Sequence, residues 1–383
     1  MASTRGAKIC FYVTDAGPAT ALLPVMLALC KNNQITVYAD EEGKGRNVLE
    51  ASEARLTSAN IPFRTISKDN MVMAANNEQK LIDRAQLLVT GTTPRQKNHY
   101  GIETNLWQIL PSVALLDKYT ATESQARFAD AHGLRILPKR ILLPNVMAQN
   151  RMKAEGFPTE KMRITGRPDH DGIAERASKA TSFFDEYELP VFLSGEQATI
   201  DRYGIGNSEI LEIISNSLPI HNAMRVFAHP KDEKTMWDEY SRKLNSMDAG
   251  VLDRELKGDE AVFRISSEGY GLFTFSGIGE TGTLAGKLMI SIQPKMDPAK
   301  DDVITNILGV TPVGFNEKDL TFFMNQLMEK CPHGELSFRE FYANARTLYK
   351  ADGKATQRTI DAIAEEIEAE PGGGLLLPKI SKI

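Results

Sequence analysis

The clearest chemical signal in the chain lies between Leu272 and Pro294, in the sequence LFTFSGIGETGTLAGKLMISIQP. An apolar run ends at Ser276, glycines and threonines follow it, and a short predicted helix ends at Gly286. Glycines let backbone N–H groups approach a ligand closely, and the first turn of a helix presents N–H donors with a partial positive charge. Such a turn suits a phosphate or diphosphate. The candidate binding residues are Ser276, Gly277, Glu280, Thr281, Gly282 and Thr283.

This turn differs from the common nucleotide-binding loops. It is not a G-x-x-x-x-G-K-[ST] phosphate loop, and the first half of the chain has no acidic residue placed about 20 residues after a G-x-G-x-x-G pattern. Both a P-loop enzyme and a standard dinucleotide dehydrogenase are therefore disfavoured. A glycine-rich connection between a strand and a helix, with no ligand, stays open as the alternative.

Two more loops in the same half follow predicted strands. Ser194 ends the strand PVFLS and begins the loop SGEQ, and the residues His229, Pro230 and Lys231 follow the strand MRVFA. A histidine and a lysine can bind phosphate oxygens directly. Because ligands of parallel sheets gather at the carboxyl ends of the strands, Ser194, His229 and Lys231 are predicted to complete the same rim. The alternative for each loop is a solvated surface turn.

Three carboxylates stand out in the first half. Asp15 ends the strand pattern at 8–14, Asp117 follows VALL, and Glu103 lies on a predicted helix four residues before Trp107. Each can act as a general base or accept a hydrogen bond from a sugar hydroxyl. The alternative for each is a helix N-cap or an exposed turn. By its position, Asp15 is the leading candidate for a general base.

Strand-like and helix-like segments alternate through both halves of the sequence. In the first half, the apolar runs at 8–14, 34–39 and 87–90 are separated by helical patterns such as the one at 19–30. The second half repeats this alternation from residue 189 onward without repeating the sequence. This rhythm predicts an α/β protein with two Rossmann-like domains, whose parallel sheets face an interdomain cleft.

Composition supports an ordinary globular protein of two domains. The chain has 383 residues, of which 42% are hydrophobic and 25% charged, and its formal net charge is −5. This charge argues against nucleic acid as a partner. Cys10, Cys30 and Cys331 are far apart, and Cys10, which lies in an apolar strand pattern, is expected to be a buried reduced thiol. No apolar leader and no stretch of about 20 apolar residues are seen, so we expect a cytoplasmic protein without a transmembrane segment.

The chain resembles the GT-B glycosyltransferase superfamily, which includes the non-hydrolysing UDP-N-acetylglucosamine 2-epimerases and the CDP-glycerol glycerophosphotransferases. The likeness covers nearly the whole chain in layout. Its first-domain blocks are similar to those of small GT-B proteins from polysaccharide-type pathways. The blocks that carry it are LLVTGTTP (87–94), ETNLW (103–107), VALLDKY (113–119), NRMKAEGFPTEKMRITGRPDHD (150–171), FAHPKDE (227–233) and FSGIGETGTLAGKLMISIQP (275–294).

The resemblance implies roles for three parts of the chain. Residues 1–168 would form an acceptor-side domain, residues 169–350 a nucleotide-donor domain, and residues 351–383 a C-terminal helix with a flexible tail. The donor would be a nucleotide sugar such as a UDP-sugar, and it would serve as co-substrate, so no other cofactor and no metal are expected. The acceptor would offer a free hydroxyl to Asp15, Glu103 or Asp117. A homodimer is compatible with the sequence.

Two departures from the superfamily pattern bear on the activity. Many relatives place a glutamate five residues before the glycine that ends the donor helix, whereas here Thr281 holds that position and Glu280 is one residue earlier. One position along a helix corresponds to about 100° of rotation. The H-x-R-x-E-N block of the epimerases is replaced by SGEQAT. Sugar transfer therefore ranks above the alternatives, which are a nucleotide-sugar 2-epimerase or hydrolase and a catalytically silent protein that binds a sugar nucleotide.

Overall fold

The computed structural model divides into two compact units, Met1–Asp171 with Tyr349–Ile383 and Gly172–Leu348. Cys331 and the glycine-rich stretch 371–374 lie outside the residues that it describes. The described residues are 6–41, 44–67, 85–92, 102–117, 124–129, 133–182, 184, 188–218, 223–229, 232–256, 258–265, 269–275, 277–301, 303–307, 309–330 and 345–369.

The first unit is built on a seven-stranded sheet in which all neighbouring strands are parallel. The strands are β1 (Lys8–Val13), β2 (Gln34–Asp40), β3 (Phe63–Ile66), β4 (Leu87–Thr90), β5 (Ser112–Leu115), β6 (Arg140–Leu143) and β7 (Met162–Ile164). In space their order is β3-β2-β1-β4-β5-β6-β7. The helices described before the chain crosses to the second unit are α1 (Ala16–Leu29), α2 (Lys44–Glu50), α3 (Glu53–Ser58), α4 (Ile102–Ile109), α5 (Ser124–Arg127) and α6 (Val146–Ala154).

Strand β1 shows how the sequence covers both faces of this sheet. Phe11 and Val13 point into the cluster of apolar side chains that contains α1, whereas Cys10 and Tyr12 point into the cluster that contains Trp107 of α4. All four strand residues are buried. Since successive side chains of a strand alternate between its two faces, both faces of the sheet are covered at β1. A continuous apolar run such as KICFYV therefore fits a strand with helices on both sides.

The second unit carries a six-stranded sheet, also parallel throughout. Its strands are β8 (Glu188–Phe192), β9 (Ala223–Phe227), β10 (Gly250–Leu252), β11 (Tyr270–Phe273), β12 (Leu288–Ile292) and β13 (Val313–Gly314). Their spatial order is β10-β9-β8-β11-β12-β13. The helices of this unit are α7 (Ile173–Lys179), α8 (Glu196–Tyr203), α9 (Asn207–Ser217), α10 (Lys234–Met247), α11 (Gly258–Phe263), α12 (Ile278–Leu284), α13 (Ile304–Ile307) and α14 (Glu317–Lys330).

The last helix, α15 (Ala355–Glu368), packs on the first unit. The sequence predicts this helix with an apolar face of Ile360, Ile363 and Ile367, and that prediction is confirmed, since all three side chains are buried beside α1. The carboxylate of Asp171 caps the start of α15, because its two oxygens accept the N–H groups of the first two helical residues at 3.0 and 2.7 Å. The segment that leaves the first unit thus anchors the helix that returns to it.

The predicted fold class is confirmed: both halves are parallel α/β sheets. The sequence misses the short edge strands β10 and β13, which bring only three and two residues to the sheet. It also joins α2 and α3 into one helix over 45–59, whereas the structure separates them near Ser52. Among the described residues, no helix combines the length and apolarity needed to cross a membrane.

The ion pair between Arg167 and Asp169 offers a test of the crossing segment. The guanidinium donates to both carboxylate oxygens, at 3.1 and 2.7 Å. Burial alone would raise the pKa of the Asp169 carboxyl, but the charges of Arg167 and His170 outweigh burial and hold that pKa below its usual value. A lowered pKa in the folded state stabilises the protein above the pKa of the unfolded chain, and this stabilisation is lost as the pH falls.

Asp169→Asn is therefore expected to lower the free energy of unfolding by about 1.5–3 kcal/mol at pH 7, the range for hydrogen bonds to charged groups. Urea titrations should show the gap to the wild type closing once the pH falls below about 4. Glu175→Gln breaks an exposed pair with Lys179 and should change nothing measurable. A gap that persists at acid pH would contradict this account.

Candidate functional site

Both sheets have a point at which the strand order reverses, and it falls on the first strand of each sheet. Strand β1 lies between β2 and β4, and strand β8 lies between β9 and β11. Helices leave such neighbouring strands on opposite faces of the sheet, which opens a crevice at the carboxyl ends of the strands. Ligands of open α/β sheets bind there, so the loops that follow β1, β4, β8 and β11 are where binding residues are expected.

In the second unit, Gly277 begins the helix that follows β11. Its backbone is in the ordinary right-handed region, with φ −60° and ψ −9°. A Cβ added to Gly277 would meet no heavy atom within 4 Å among the described residues. Among the described residues, neither strain nor packing therefore requires glycine here, and none of them fills the space beside this backbone. Ser276, predicted as its partner, lies outside the described residues.

The other two glycines of this helix serve packing. A Cβ on Gly279 would lie 2.3 Å from the ring of Phe273, and one on Gly282 would lie 2.4 Å from the sulfur of Met289. Both glycines are buried and bring α12 close to the sheet. The glycine content of GIGETG therefore reflects helix–sheet contact at Gly279 and Gly282, and only Gly277 keeps the features of a ligand-facing glycine.

The threonines of the helix hydrogen-bond within it. The Thr283 hydroxyl is buried and donates to the Gly279 carbonyl at 2.7 Å, and the Thr281 hydroxyl donates to the Gly277 carbonyl at 3.2 Å. Glu280 lies in the first turn of the helix and is half-buried. Of the six residues predicted for this turn, Gly277, Glu280 and Thr281 lie on the part that remains accessible.

Ser194 is buried and connects β8 to the loop after β11. Its hydroxyl oxygen accepts from the Thr274 hydroxyl at 2.7 Å and from the Phe275 N–H at 3.3 Å. Its own N–H donates to the Thr274 hydroxyl at 2.9 Å. These contacts fix the backbone that leads into Gly277, so Ser194 acts on the turn through Phe275 rather than from an exposed rim.

Ser194→Ala should test this role. The change leaves the Phe275 N–H and the Thr274 hydroxyl without their acceptor inside the protein, at an expected loss of about 1–3 kcal/mol in the free energy of unfolding. Chemical denaturation measures it. Ser246→Ala, which removes an exposed serine hydroxyl from α10, is the matched control and should cost little. Equal effects of the two changes would refute the bridging role.

His229 lies in a turn that follows β9. The turn is closed by the Asp232 N–H, which donates to the His229 carbonyl at 2.9 Å. A Cβ added to Gly195 would lie 3.6 Å from both His229 Nδ1 and Asp232 Oδ1, so the loops after β8 and β9 meet at this point. Lys231, predicted beside His229, lies outside the described residues.

Sequence reasoning misses three polar residues next to the loops that follow β8 and β9. The Asp232 carboxylate accepts the Glu196 N–H at 2.9 Å, and the buried residues Tyr240 and Asn207 hydrogen-bond to the same group of loops. Asp232 directly follows the block His-Pro-Lys, and its place in FAHPKDE was the available signal. Asn207 and Tyr240 carry no signal of their own, because each looks like an ordinary residue of a helix.

In the first unit, Asp15 and Asp117 lie together at the start of α1. Asp15 is the N-cap residue, and its carboxylate accepts the Ala16 N–H at 2.8 Å. A Cβ on Gly17 would lie 1.9 Å from Asp117 Oδ2, so that carboxylate rests against the first turn of the helix. Asp117 Oδ1 is buried and has no hydrogen-bond partner among the described residues. The Asp117 carbonyl accepts from the Arg167 guanidinium at 3.3 Å.

Glu103 lies on the other face of the same sheet. It is buried on α4, whose residue Trp107 packs on the face opposite α1. The Thr14 hydroxyl, at the carboxyl end of β1, donates to the Glu103 carboxylate at 2.6 Å. Burial raises the pKa of the nearby Tyr12 hydroxyl, and the charges of Glu103 and Asp40 raise it further. The structure thus joins Asp15 with Asp117 at the start of α1 and places Glu103 against Thr14, the residue before Asp15.

Comparison with solved structures identifies the fold as GT-B. The UDP-GlcNAc 2-epimerase from Neisseria meningitidis bound to UDP-GlcNAc aligns over 94% of this chain and 100% of its own, with a TM-score of 0.61 and 14% identity. The glycotransferase of kitacinnamycin aligns over 94% and 99%, with a TM-score of 0.59 and 11% identity. HepE from Anabaena in complex with UDP and glucose aligns over 95% and 100%, with a TM-score of 0.56 and 14% identity.

The resemblance seen in the sequence to the GT-B superfamily is therefore confirmed at the level of the fold. No family model matches the chain, and no curated protein matches it either. At 11–14% identity these structures establish the architecture, and they include both a glycotransferase and an epimerase. The class that the comparisons define for this chain is therefore a fold class, GT-B.

Proposed function

We propose that the protein is a glycosyltransferase that moves a sugar, or a similar phosphate-activated group, from a nucleotide diphosphate to an acceptor hydroxyl. The observation that carries the proposal is Gly277: it is the N-cap residue of α12 at the strand-order reversal of the second sheet, and no heavy atom of the described residues lies within 4 Å of where its side chain would be. Two neighbours of the same fold hold UDP-GlcNAc or UDP with glucose. The donor diphosphate would lie on this turn.

The leaving diphosphate needs positive charge as its bond to the sugar breaks. In the proposal, N–H groups at the start of α12 and the side chains of His229 and Lys231 supply it, so a metal ion is not required. Glu280 and Thr281 would contact the donor at the accessible side of the helix. Gly282, Thr283 and Ser194 would act by holding the turn in place.

The first unit would bind the acceptor at the carboxyl ends of β1 and β5. A carboxylate there takes the proton of the acceptor hydroxyl, the hydroxyl oxygen attacks the anomeric carbon, and the bond to the nucleotide diphosphate breaks. Asp117 is favoured as this base because one of its oxygens is buried and unpartnered among the described residues. Asp15 is the second candidate, since its carboxylate already caps α1. Glu103 would support the site from the opposite face through Thr14.

A nucleotide-sugar 2-epimerase or hydrolase is the second candidate, since several proteins of this fold are UDP-GlcNAc 2-epimerases, including those from Neisseria meningitidis and Methanocaldococcus jannaschii. The missing H-x-R-x-E-N block counts against it. The third candidate function is that of a catalytically silent protein, which binds a sugar nucleotide without converting it.

One series of measurements separates these functions. Calorimetric titration with UDP, CDP, GDP, ADP and dTDP should reveal tight binding of at least one diphosphate. The matching nucleotide sugar is then incubated with the protein, with and without a panel of acceptors. Turnover only with an acceptor supports transfer, turnover without one supports epimerisation or hydrolysis, and binding without turnover supports the silent protein. Failure to bind any nucleotide diphosphate would contradict all three.

A further inference from the structure

The two loops proposed to hold the donor diphosphate come from strands that are not neighbours. The turn at Gly277 follows β11, the turn at His229 follows β9, and β8 lies between these strands. Adjacent strands lie about 4.8 Å apart, so the two loops start about 10 Å from each other. The paired strands fix the distance between the strand ends, and groups that bridge the two turns can fix the spacing of the turns beyond them.

The bridge begins at Ser194, which holds Phe275 and hence the Gly277 turn. The Ser194 carbonyl accepts from the side-chain amide of Asn207 at 2.9 Å. The same amide nitrogen donates to the Tyr240 hydroxyl at 3.1 Å. A primary amide carries two hydrogens, so Asn207 uses both to join Ser194 to Tyr240.

From Tyr240 the network continues to the His229 turn. The Tyr240 hydroxyl lies 2.9 Å from Glu196 Oε2 and 3.2 Å from Asp232 Oδ2, and it can donate to either carboxylate. Glu196 Oε2 also accepts the backbone N–H of Asn207, at 2.9 Å. The N–H of Asp232 closes the turn on His229. An unbroken chain of hydrogen bonds thus connects one loop to the other.

Both bridging side chains are out of reach of a ligand. Asn207 and Tyr240 are fully buried, with 0% of their surface exposed. Burial and the charges of Asp232 and Glu196 raise the pKa of the Tyr240 hydroxyl, so it keeps its proton and acts as a donor at neutral pH. In a dry interior such connected bonds hold their partners rigidly. The two residues can affect a ligand only by placing the loops.

We propose that Asn207 and Tyr240 are positioning residues that set the distance between the Gly277 and His229 turns, and so confer preference for a nucleoside diphosphate over a monophosphate. The inference rests on the proposed function. A diphosphate engages both turns at once, whereas a monophosphate engages one. Loosening the bridge therefore weakens the binding of a nucleoside diphosphate more than that of a monophosphate.

The test measures the dissociation constants of UDP and UMP by calorimetry on the full chain. The wild type is expected to bind UDP more tightly than UMP. Tyr240→Phe keeps the ring and removes the hydroxyl, and it should weaken UDP binding by about tenfold or more, the size expected for a hydrogen bond to a charged group, with little change for UMP. Asn207→Ala should act in the same direction. Tyr12→Phe is the control, since it removes a buried hydroxyl with no hydrogen-bond partner among the described residues, in the other unit.

The outcomes separate the inference from the proposed function. A wild type that binds neither nucleotide contradicts the proposed function. A wild type without preference for UDP, or variants that are folded by circular dichroism and keep the wild-type ratio of the two constants, overturns the positioning role alone. Equal weakening of UDP and UMP also overturns it, because general destabilisation moves both. Should one variant fail to fold, the ratio measured on the other decides.

Discussion

Gly277→Ala is expected to weaken UDP binding by about tenfold or more, equivalent to about 1.4 kcal/mol, while the protein itself becomes no less stable. The backbone of Gly277 is already in the helical region, and the new methyl group meets no heavy atom within 4 Å among the described residues. Glycine-to-alanine changes at such positions raise stability by about 0.4–1 kcal/mol. The methyl group would occupy the space proposed for the diphosphate. Calorimetry with UDP and urea unfolding measure the two effects.

Gly279→Ala is the matched control, because it lies in the same helix and has the opposite environment. Its methyl group would lie 2.3 Å from the ring of Phe273, which is fully buried and cannot move aside. We expect a loss of stability of about 1–3 kcal/mol from this overpacking. Unchanged UDP binding by Gly277→Ala would show that the diphosphate does not bind at this turn.

Most strands and their parallel pairing could be predicted from the apolar pattern of the sequence. Apolar runs such as LLVT at 87–90 and LMISI at 288–292 are found as strands over the same residues. These strands are buried on both faces, so their continuous apolar composition is enough to identify them as strands. The two-residue strand β13 is stabilised by pairing with β12 and has no apolar run that would identify it in the sequence.

The candidate site was less open to prediction, for a physical reason. Glycine at 277 and glycine at 279 look alike in a sequence, yet one faces space and the other faces Phe273. That difference arises from the packing of α12 on β11, which depends on residues distant in the chain. The bridge through Asn207 and Tyr240 is also non-local, since its hydrogen bonds span 8 to 44 residues.

Asp117 illustrates the same limit in the first unit. By sequence, Asp15 and Asp117 are both carboxylates that end strands, and position alone favours Asp15. The structure engages Asp15 in a cap at 2.8 Å and leaves Asp117 Oδ1 buried without a partner among the described residues. A hydrogen-bond donor from a ligand would satisfy this oxygen, and an acceptor hydroxyl is such a donor.

Asp117→Asn is accordingly expected to lower the kcat of sugar transfer by about 10²- to 10⁴-fold, the contribution of a general base. The amide keeps the size of the side chain, so UDP binding in the second unit should stay at the wild-type level. Initial rates at saturating donor and acceptor measure the change. Donor affinity is followed by calorimetry on the same preparation, so a misfolded variant is recognised at once.

Asp15→Ser supplies the control for this experiment. Serine preserves an N-cap oxygen for α1 while removing the carboxylate, so the helix should lose little stability. If Asp117 is the base, Asp15→Ser retains most of the rate, because the cap and not the charge is what Asp15 provides. The reverse pattern, with transfer abolished in Asp15→Ser and retained in Asp117→Asn, would return the role to Asp15 and would mean that its carboxylate leaves the cap to meet the acceptor.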